Sequence, residues 1–207
     1  IIFTSINNFK YLNSDFYKIN QINIAGLSNI DNDNIYYSID HYKKKNIFFF
    51  DNLKISKKIY SNQLVEKFWI FKKYPSTLDI NLTKTNFLGR IKINNIDYLI
   101  GSNGKYIKKN KDVGNIPLVS GNIKINDFLI LKEIFDKSNF DFSKIDSLYY
   151  FNSNRWDIET KEGLIIRLPT KLNINMLNKV SQIIDDIKFK HIKVIDFRQK
   201  NKIITNG

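Results

Sequence analysis

The stretch VEKFWIFKKYPSTLDINLTK, residues 65–84, decides the fold. It reads as two strands around a tight turn. On the incoming arm Phe68 and Ile70 alternate with Trp69 and Phe71 up to Lys72-Lys73. On the outgoing arm Leu78, Ile80 and Leu82 alternate with Asp79, Asn81 and Thr83. A period of two sends successive side chains to opposite faces, so each arm is a strand with one face buried. Between them lies Tyr74-Pro75-Ser76-Thr77. Pro75 fixes its own φ, has no N–H to donate and steers Tyr74 out of the helical region, so the chain turns here. The buried face needs an apolar cover.

That cover lies upstream. Residues 19–24 set Ile19, Ile22 and Ile24 among polar neighbours and end on Ala25-Gly26, a strand closed by a glycine turn. Asp31 then stands as the N-cap of a short helix over residues 32–41, with Ile35, Tyr36 and Ile39 apolar. Lys43-Lys44-Lys45-Asn46 is a charged loop, and of Phe48-Phe49-Phe50 after it at least one ring should plug a helix–sheet interface. Leu53, Ile55, Ile59, Tyr60 and Leu64 approximate one face of a second helix, over residues 53–67. The order is β-α-α-β-β, with two helices on one face of a three-stranded sheet.

Downstream, strands are expected over residues 90–93 and 97–100 around Asn94-Asn95, then a turn at Ser102-Asn103-Gly104, Tyr106-Ile107 and a basic loop over 108–111. Residues 116–121 are extended, because Pro117 disfavours helix just before it. Phe128, Leu131 and Phe135 form the stripe of a helix over residues 125–137. A strand from Ile145 runs to Phe151. Residues 155–160 and 164–168 then make a hairpin around Lys161-Glu162-Gly163, stopped by Pro169. Leu177, Val180, Ile184 and Ile187 mark a helix over residues 173–187. Ile192, Val194 and Phe197 form the penultimate strand, residues 198–201 a turn, and residues 202–205 the last strand. The fold class is α+β: a β-α-α-β-β domain over residues 19–84 behind a connector (1–18), then a larger, mostly antiparallel β-sheet domain with two helices over 85–207.

The chain's 207 residues are 43% hydrophobic and 14% aromatic, enough to bury a core and to exclude a disordered tail. A net charge of +13 admits nucleic acid or an anionic membrane surface as a partner. Lys, Asn and Ile are, however, used heavily throughout, and no arginine-rich stripe is present, which reads as composition. The absence of cysteine excludes disulfides, thiolate catalysis and cysteine metal sites. His41 and His191 stand at unrelated places. There is no Ser-His-Asp order, metal-ligand spacing or phosphate-cradling glycine loop. The acid pairs Asp31/Asp33 and Asp185-Asp186 fall on helix caps or surfaces. Asp196 and Arg198, two apart on one strand face, suit a structural ion pair. The expectation is a non-enzymatic protein with no cofactor, no metal and no small-molecule substrate. Ile1-Ile2-Phe3 at the start reads as the tail of a removed apolar segment or as the trace of a cleaved signal peptide.

Several segments together resemble the extracytoplasmic region of the bacterial cell-division family FtsQ/DivIB. In the first domain, Ile22-Asn23-Ile24-Ala25-Gly26 resembles the family's opening strand and glycine, and Tyr74-Pro75-Ser76-Thr77-Leu78 its aromatic–Pro–x–x–Leu turn. This domain is similar to a POTRA (polypeptide-transport-associated) domain. In the second, Leu99-Ile100 followed by Gly104 resembles an L-I-D-x-x-G strand-turn. Residues 116–121 resemble L-P-x-L-x-G. Arg155-Trp156-Asp157-Ile158 with Gly163 and Leu168 resembles R-x-W-x-L…G…L, and Ile195-Asp196-Phe197-Arg198 resembles x-D-L-R. Lys84, Phe87 and Gly101 depart from the family's usual Glu, Pro and Asp at the corresponding places.

A terminal strand over residues 202–205, followed only by Asn206-Gly207, would leave one row of backbone groups open to an extended segment of a partner. Arg198, Lys202, Ile203, Ile204 and Thr205 are therefore the candidate partner-binding residues. Lys202 either selects an acidic partner or blunts the edge against aggregation. Gly26, Tyr74, Pro75, Gly104, Pro117, Gly121, Gly163 and Asp196 are the candidate structural residues. The resemblance implies a divisome scaffold of the inner membrane, single-pass through a missing N-terminal transmembrane helix, with this region in the periplasm. It also implies FtsB and FtsL as partners recruited by the last strand, and no nucleic acid. The rival expectations are another POTRA-bearing transport or assembly chaperone module, and a nucleic-acid binder using the +13 charge.

Overall fold

In the computed structural model, which describes residues 14–109, 113–185, 192–199 and 202–206, the chain divides into two units at Asn86/Phe87. The first unit opens with β1 (Gln21–Ala25), followed by α1 (Asn29–Ile39) and α2 (Asn52–Ser61). The hairpin β2 (Val65–Lys73) and β3 (Thr77–Lys84) completes it. The sheet order is β1-β3-β2, with β1 parallel and β2 antiparallel to the central β3. The register follows the alternation: Ile70 faces Ile80 and Phe68 faces Leu82. Leu78, Ile80 and Leu82 are buried beneath the helices with Ile22, Ile35, Ile39, Ile55 and Ile59. The Tyr74–Pro75 peptide at the turn is cis.

Both helices begin and end away from the positions expected of them. Ser28, not Asp31, caps α1: its Oγ accepts from the Asp31 N–H at 3.3 Å and donates to the Asp31 carboxylate at 2.6 Å. The helix therefore starts three residues early, then tightens into a 3-10 turn at Asp40–Tyr42 that carries His41. Asp51 caps α2, accepting from the N–H groups of Leu53 and Lys54. That helix stops at Ser61 because Asn62 folds the chain back, its side chain accepting from the Leu64 N–H and its carbonyl from the Val65 N–H. Residues 65–67, which fit the helical stripe equally well, belong to β2. Of the three phenylalanines, Phe50 is buried, Phe48 half-buried and Phe49 exposed.

Among the described residues the second unit holds a nine-stranded sheet in the order β12-β11-β10-β9-β8-β7-β4-β5-β6. Its strands are β4 (Phe87–Ile93), β5 (Ile96–Gly101), β6 (Tyr106–Lys108), β7 (Leu118–Ser120), β8 (Ile145–Phe151) and β9 (Arg155–Thr160). Beyond these lie β10 (Ile165–Arg167), β11 (Val194–Asp196) and β12 (Ile204–Asn206). Five neighbouring pairs are antiparallel. Three are parallel: β4–β7, β7–β8 and β10–β11. The last two are the crossovers that carry α3 (Ile125–Asp136) and α4 (Ile174–Asp185), as parallel neighbours require a long connection. Asn94 and Asn95 both take positive φ, so a two-residue turn joins β4 to β5. Phe128, Leu131 and Phe135 of α3 and Leu177 and Val180 of α4 pack with Leu148, Trp156, Ile158, Ile166 and Ile195 into one core.

Two glycines are required by what lies against them. Gly26 has φ +118°, and a Cβ there would stand 1.8 Å from the Leu82 carbonyl oxygen. Gly121 has φ +116°, and its Cβ would meet the Tyr150 carbonyl oxygen at 2.3 Å. Only glycine tolerates such φ values beside backbone that close. Gly104 and Gly163 sit in turns, and the Pro117 carbonyl accepts from the Arg90 N–H at 2.9 Å, tying the extended segment to β4. The connector's first residues, His191, Asp186 and residues 110–111 of the basic loop lie outside the described residues.

Candidate functional site

Asp196 closes β11 and organises the last edge of the large sheet. It is 7% exposed, and a buried carboxylate must be paired. Its oxygens accept from Arg198 Nε at 2.8 Å and from Arg198 Nη2, and its Oδ1 from the Arg198 backbone N–H at 2.9 Å. Arg167 Nη1 lies 3.7 Å away on the other side. The Arg198 hydrogen bonds hold the Asp196 carboxyl below the usual carboxylate range and push Arg198 up from its own. The expected structural pair is therefore a fork that fixes the turn after β11.

Strand register extends that pair sideways. Asp157 of β9 lies opposite Arg167 of β10, Arg167 opposite Asp196 of β11, and Asp196 opposite Ile204 of β12. Acid, base and acid thus form one row that ends at the edge strand. Asp157 is also buried, and Arg155 Nε donates to it at 3.1 Å. There desolvation dominates and pushes the carboxyl up, against the pull of Arg155. Sequence reading found Asp196 and Arg198 but missed Asp157 and Arg167. Their juxtaposition depends on which strand lies beside which, and spacing along the chain carries no trace of that.

The edge strand β12 spans Ile204–Asn206, two residues later at its start than the expected 202–205. Lys202 and Ile203 lie before the ladder, and the Lys202 N–H donates to the Gln199 carbonyl. Ile204 and Thr205 are in the ladder, paired with Asp196 and Ile195. Among the described residues β12 has one neighbour, β11, and stands last in the sheet order. Residues 202–206 are all exposed, with Ile203 at 48% and Ile204 at 47%. The outcome is a short edge, open on one side, with two accessible isoleucines, one of them in the ladder and one just before it. Arg198 stands at the near end of this edge, half in solvent.

Gly26, Tyr74 and Pro75 belong to the first unit; Gly104, Pro117, Gly121 and Gly163 shape turns and crossovers within the second. Among the described residues no cluster of His, Cys, Asp and Glu could hold a metal ion. No helix among them is long and apolar enough to cross a membrane.

The Asp196 fork gives a pH dependence whose sign is fixed. Its folded-state pKa is depressed, so the stability it contributes is present above the ordinary carboxylate value of about 3.9 and is lost as pH falls through the folded value. Asp157 acts in the opposite sense, because folding favours its neutral form and acidification relieves the cost of burying its charge. The Asp196→Asn variant is expected to be less stable than the parent at neutral pH, with the gap closing below about pH 4. Urea midpoints measured across that range check this, and a gap that is constant with pH would refute it.

Comparison with known proteins covers both units. A family model described as "POTRA domain, FtsQ-type" matches residues 17–84. A second, "Cell division protein FtsQ/DivIB, C-terminal", matches residues 89–198. The chain is 26% identical over 200 residues to the cell division protein FtsQ of Rickettsia bellii, covering 90% of this chain and 71% of that one. It is 24% identical over 196 residues to the protein of the same name from Rickettsia conorii, with the same coverage. Among solved structures it is similar to the major extracytoplasmic domain of the cell-division protein DivIB from Geobacillus stearothermophilus, with TM-score 0.35 and 8% identity over 53% of this chain and 95% of that one.

Proposed function

The chain belongs to the FtsQ/DivIB family of cell-division proteins, and from that premise we propose that it is a non-enzymatic scaffold of the divisome that recruits partners by strand addition at β12. One observation carries the reading: among the described residues, the sheet ends on a strand with a neighbour on one side. An extended segment of a partner gains main-chain hydrogen bonds there, and side-chain selectivity from whatever flanks the edge. Ile203 and Ile204 supply apolar contact, and Arg198 and Lys202 supply positive charge, so an extended segment with alternating apolar and acidic residues is the matching ligand. FtsB-type and, through them, FtsL-type proteins are the partners this family membership suggests. The protein would be held in the inner membrane by a single span, with the two units in the periplasm. Binding rather than bond-making is the activity.

The test is co-purification of the 207-residue chain with the FtsB-type protein of the same organism, alone and with the FtsL-type protein. A stable complex is expected with the FtsB-type protein, and the FtsL-type protein should enter only in its presence. Failure of the FtsB-type protein to bind at all would overturn the reading.

A further inference from the structure

The first unit gathers three segments at one end. The Lys44 N–H donates to the Ile19 carbonyl, the Ile19 N–H to the Lys45 carbonyl and the Ile47 N–H to the Tyr17 carbonyl, each at 2.9 Å. The N–H groups of Asn20 and Gln21 both donate to the Ser76 carbonyl. The segment entering β1, the lysine loop after α1 and the Pro75 turn are thereby bound into a single tip. Neither the core nor the β12 edge explains what that tip displays.

Its rings form a chain. Tyr17 packs edge-on against Phe16 and Phe48, with centroids 5.1 Å apart in each case, and Phe48 stacks on Tyr74 at 4.8 Å. The inner members are half-buried, but the outer ones point into solvent: Phe16 is 64% exposed, Phe49 58% and Tyr74 57%. Three large aromatic side chains exposed on one small surface is costly in water and marks a contact site. Lys44 and Lys45 are exposed beside them and have no acidic partner among the described residues. The nearby acids are mostly engaged: Asp15 pairs with Lys18 at 2.5 Å, Asp79 with Lys73, and Asp51 caps α2. Asp40, exposed in the turn before the lysines, offsets one charge.

We propose that this tip is a peripheral membrane contact, in which Phe16, Phe49 and Tyr74 enter the headgroup region of an anionic bilayer while Lys44 and Lys45 lie against its phosphates. The chemistry favours lipid over a protein groove. Exposed rings, one of them the amphipathic Tyr74, beside unpaired lysines suit the bilayer interface, where ring bodies find apolar depth and ammonium groups find negative charge. The rings sit on loop tips, without the flat strand edge or helical stripe that would dock a peptide. The contact is independent of partner binding at β12 and of any membrane span.

The experiment is co-sedimentation of the full chain with vesicles of phosphatidylcholine alone and of phosphatidylcholine mixed with phosphatidylglycerol. Binding to the mixed vesicles only is expected. The F16S/F49S variant keeps every charge, and should bind about ten-fold more weakly. K44Q/K45Q should bind roughly twenty-five-fold more weakly, at about five-fold per lysine. Two controls make the result specific. K57Q/K58Q removes the same charge from exposed positions on α2, and W69S removes an exposed ring about 16 Å along β2 from Tyr74; both should bind nearly as the parent does. Circular dichroism confirms that all variants fold. Equal loss in K57Q/K58Q would mean diffuse attraction to the net charge and would overturn the proposal. So would undiminished binding by F16S/F49S, or self-association that F16S/F49S abolishes, which would make the tip a contact between copies.

Discussion

Proline at Ile204 and proline at Thr205 are expected to abolish partner binding by different routes, and only one of the two should loosen the sheet. In an antiparallel ladder the N–H and C=O of one residue point to the same side, and the next residue points to the other. Ile204 and Thr205 are consecutive in β12, opposite Asp196 and Ile195. One of them therefore bonds β11 and the other presents its N–H outward. Proline at the inward position removes a ladder bond and strips β12 from the sheet. At the outward position it leaves β11–β12 intact and deletes the donor that an incoming strand needs. Both variants should lose the FtsB-type partner in a pull-down, by about a hundred-fold in affinity when the lost backbone bond and the ring clash are counted together. Hydrogen exchange should show loss of protection at the Lys193 amide, which donates to the Asn206 carbonyl, in one variant and not in the other. If the variant with the intact sheet binds normally, strand addition at this edge is wrong.

This division of labour could be read only partly from the sequence. The hairpin at residues 65–84 was fully legible because its two signals agree: a period of two on both arms, and a proline between them that cannot continue either. The β-α-α-β-β order followed from it. Helix ends were less legible because capping is a competition. Ser28 and Asp31 are both good caps, and the reciprocal pair they make decides for Ser28. Residues 65–67 satisfied helical and strand periods alike until Asn62 broke the chain. In the second unit the strands were visible singly, but their order was not. Two short strands, β10 and β11, become neighbours through a crossover, and that pairing creates the Asp157–Arg167–Asp196 row. The row explains why Asp196 tolerates burial, and it places the fork at the foot of β12. The last strand starts two residues later than its sequence suggests, because the Lys202 N–H is spent on the Gln199 carbonyl and not on a ladder bond. The tip of the first unit was hidden for a related reason. Phe16, Phe49 and Tyr74 are far apart in the chain, and only the bonds between their three segments show them as one surface.

Gly26→Ala and Gly121→Ala should each cost about 3 kcal/mol or more, while Gly163→Ala should cost about 1–2 kcal/mol. All three positions take positive φ, so the conformational part is shared. The difference lies in what the new methyl group meets. At Gly163 nothing lies within 4 Å. At Gly26 the obstacle is the Leu82 backbone, with its oxygen at 1.8 Å and its carbonyl carbon at 2.7 Å from the Cβ position. Leu82 lies in β3, bonded to β2 opposite Phe68, with its side chain in the core. It cannot retreat without opening the central strand of the unit. At Gly121 the obstacle is the Tyr150 carbonyl of β8, itself held opposite Trp156. The two clashes fall in separate cores, so their effects should be separable in one molecule. Trp156 is buried in the second core and Trp69 is exposed in the first unit. In a Trp69→Phe background, the emission of Trp156 reports the second unit alone. Gly121→Ala should move that unfolding transition to lower urea, and Gly26→Ala should leave it in place while shifting the far-UV transition of the first unit. A loss at Gly26 no larger than that at Gly163 would mean that β3 yields to the methyl group, and that the glycine is there for its φ alone.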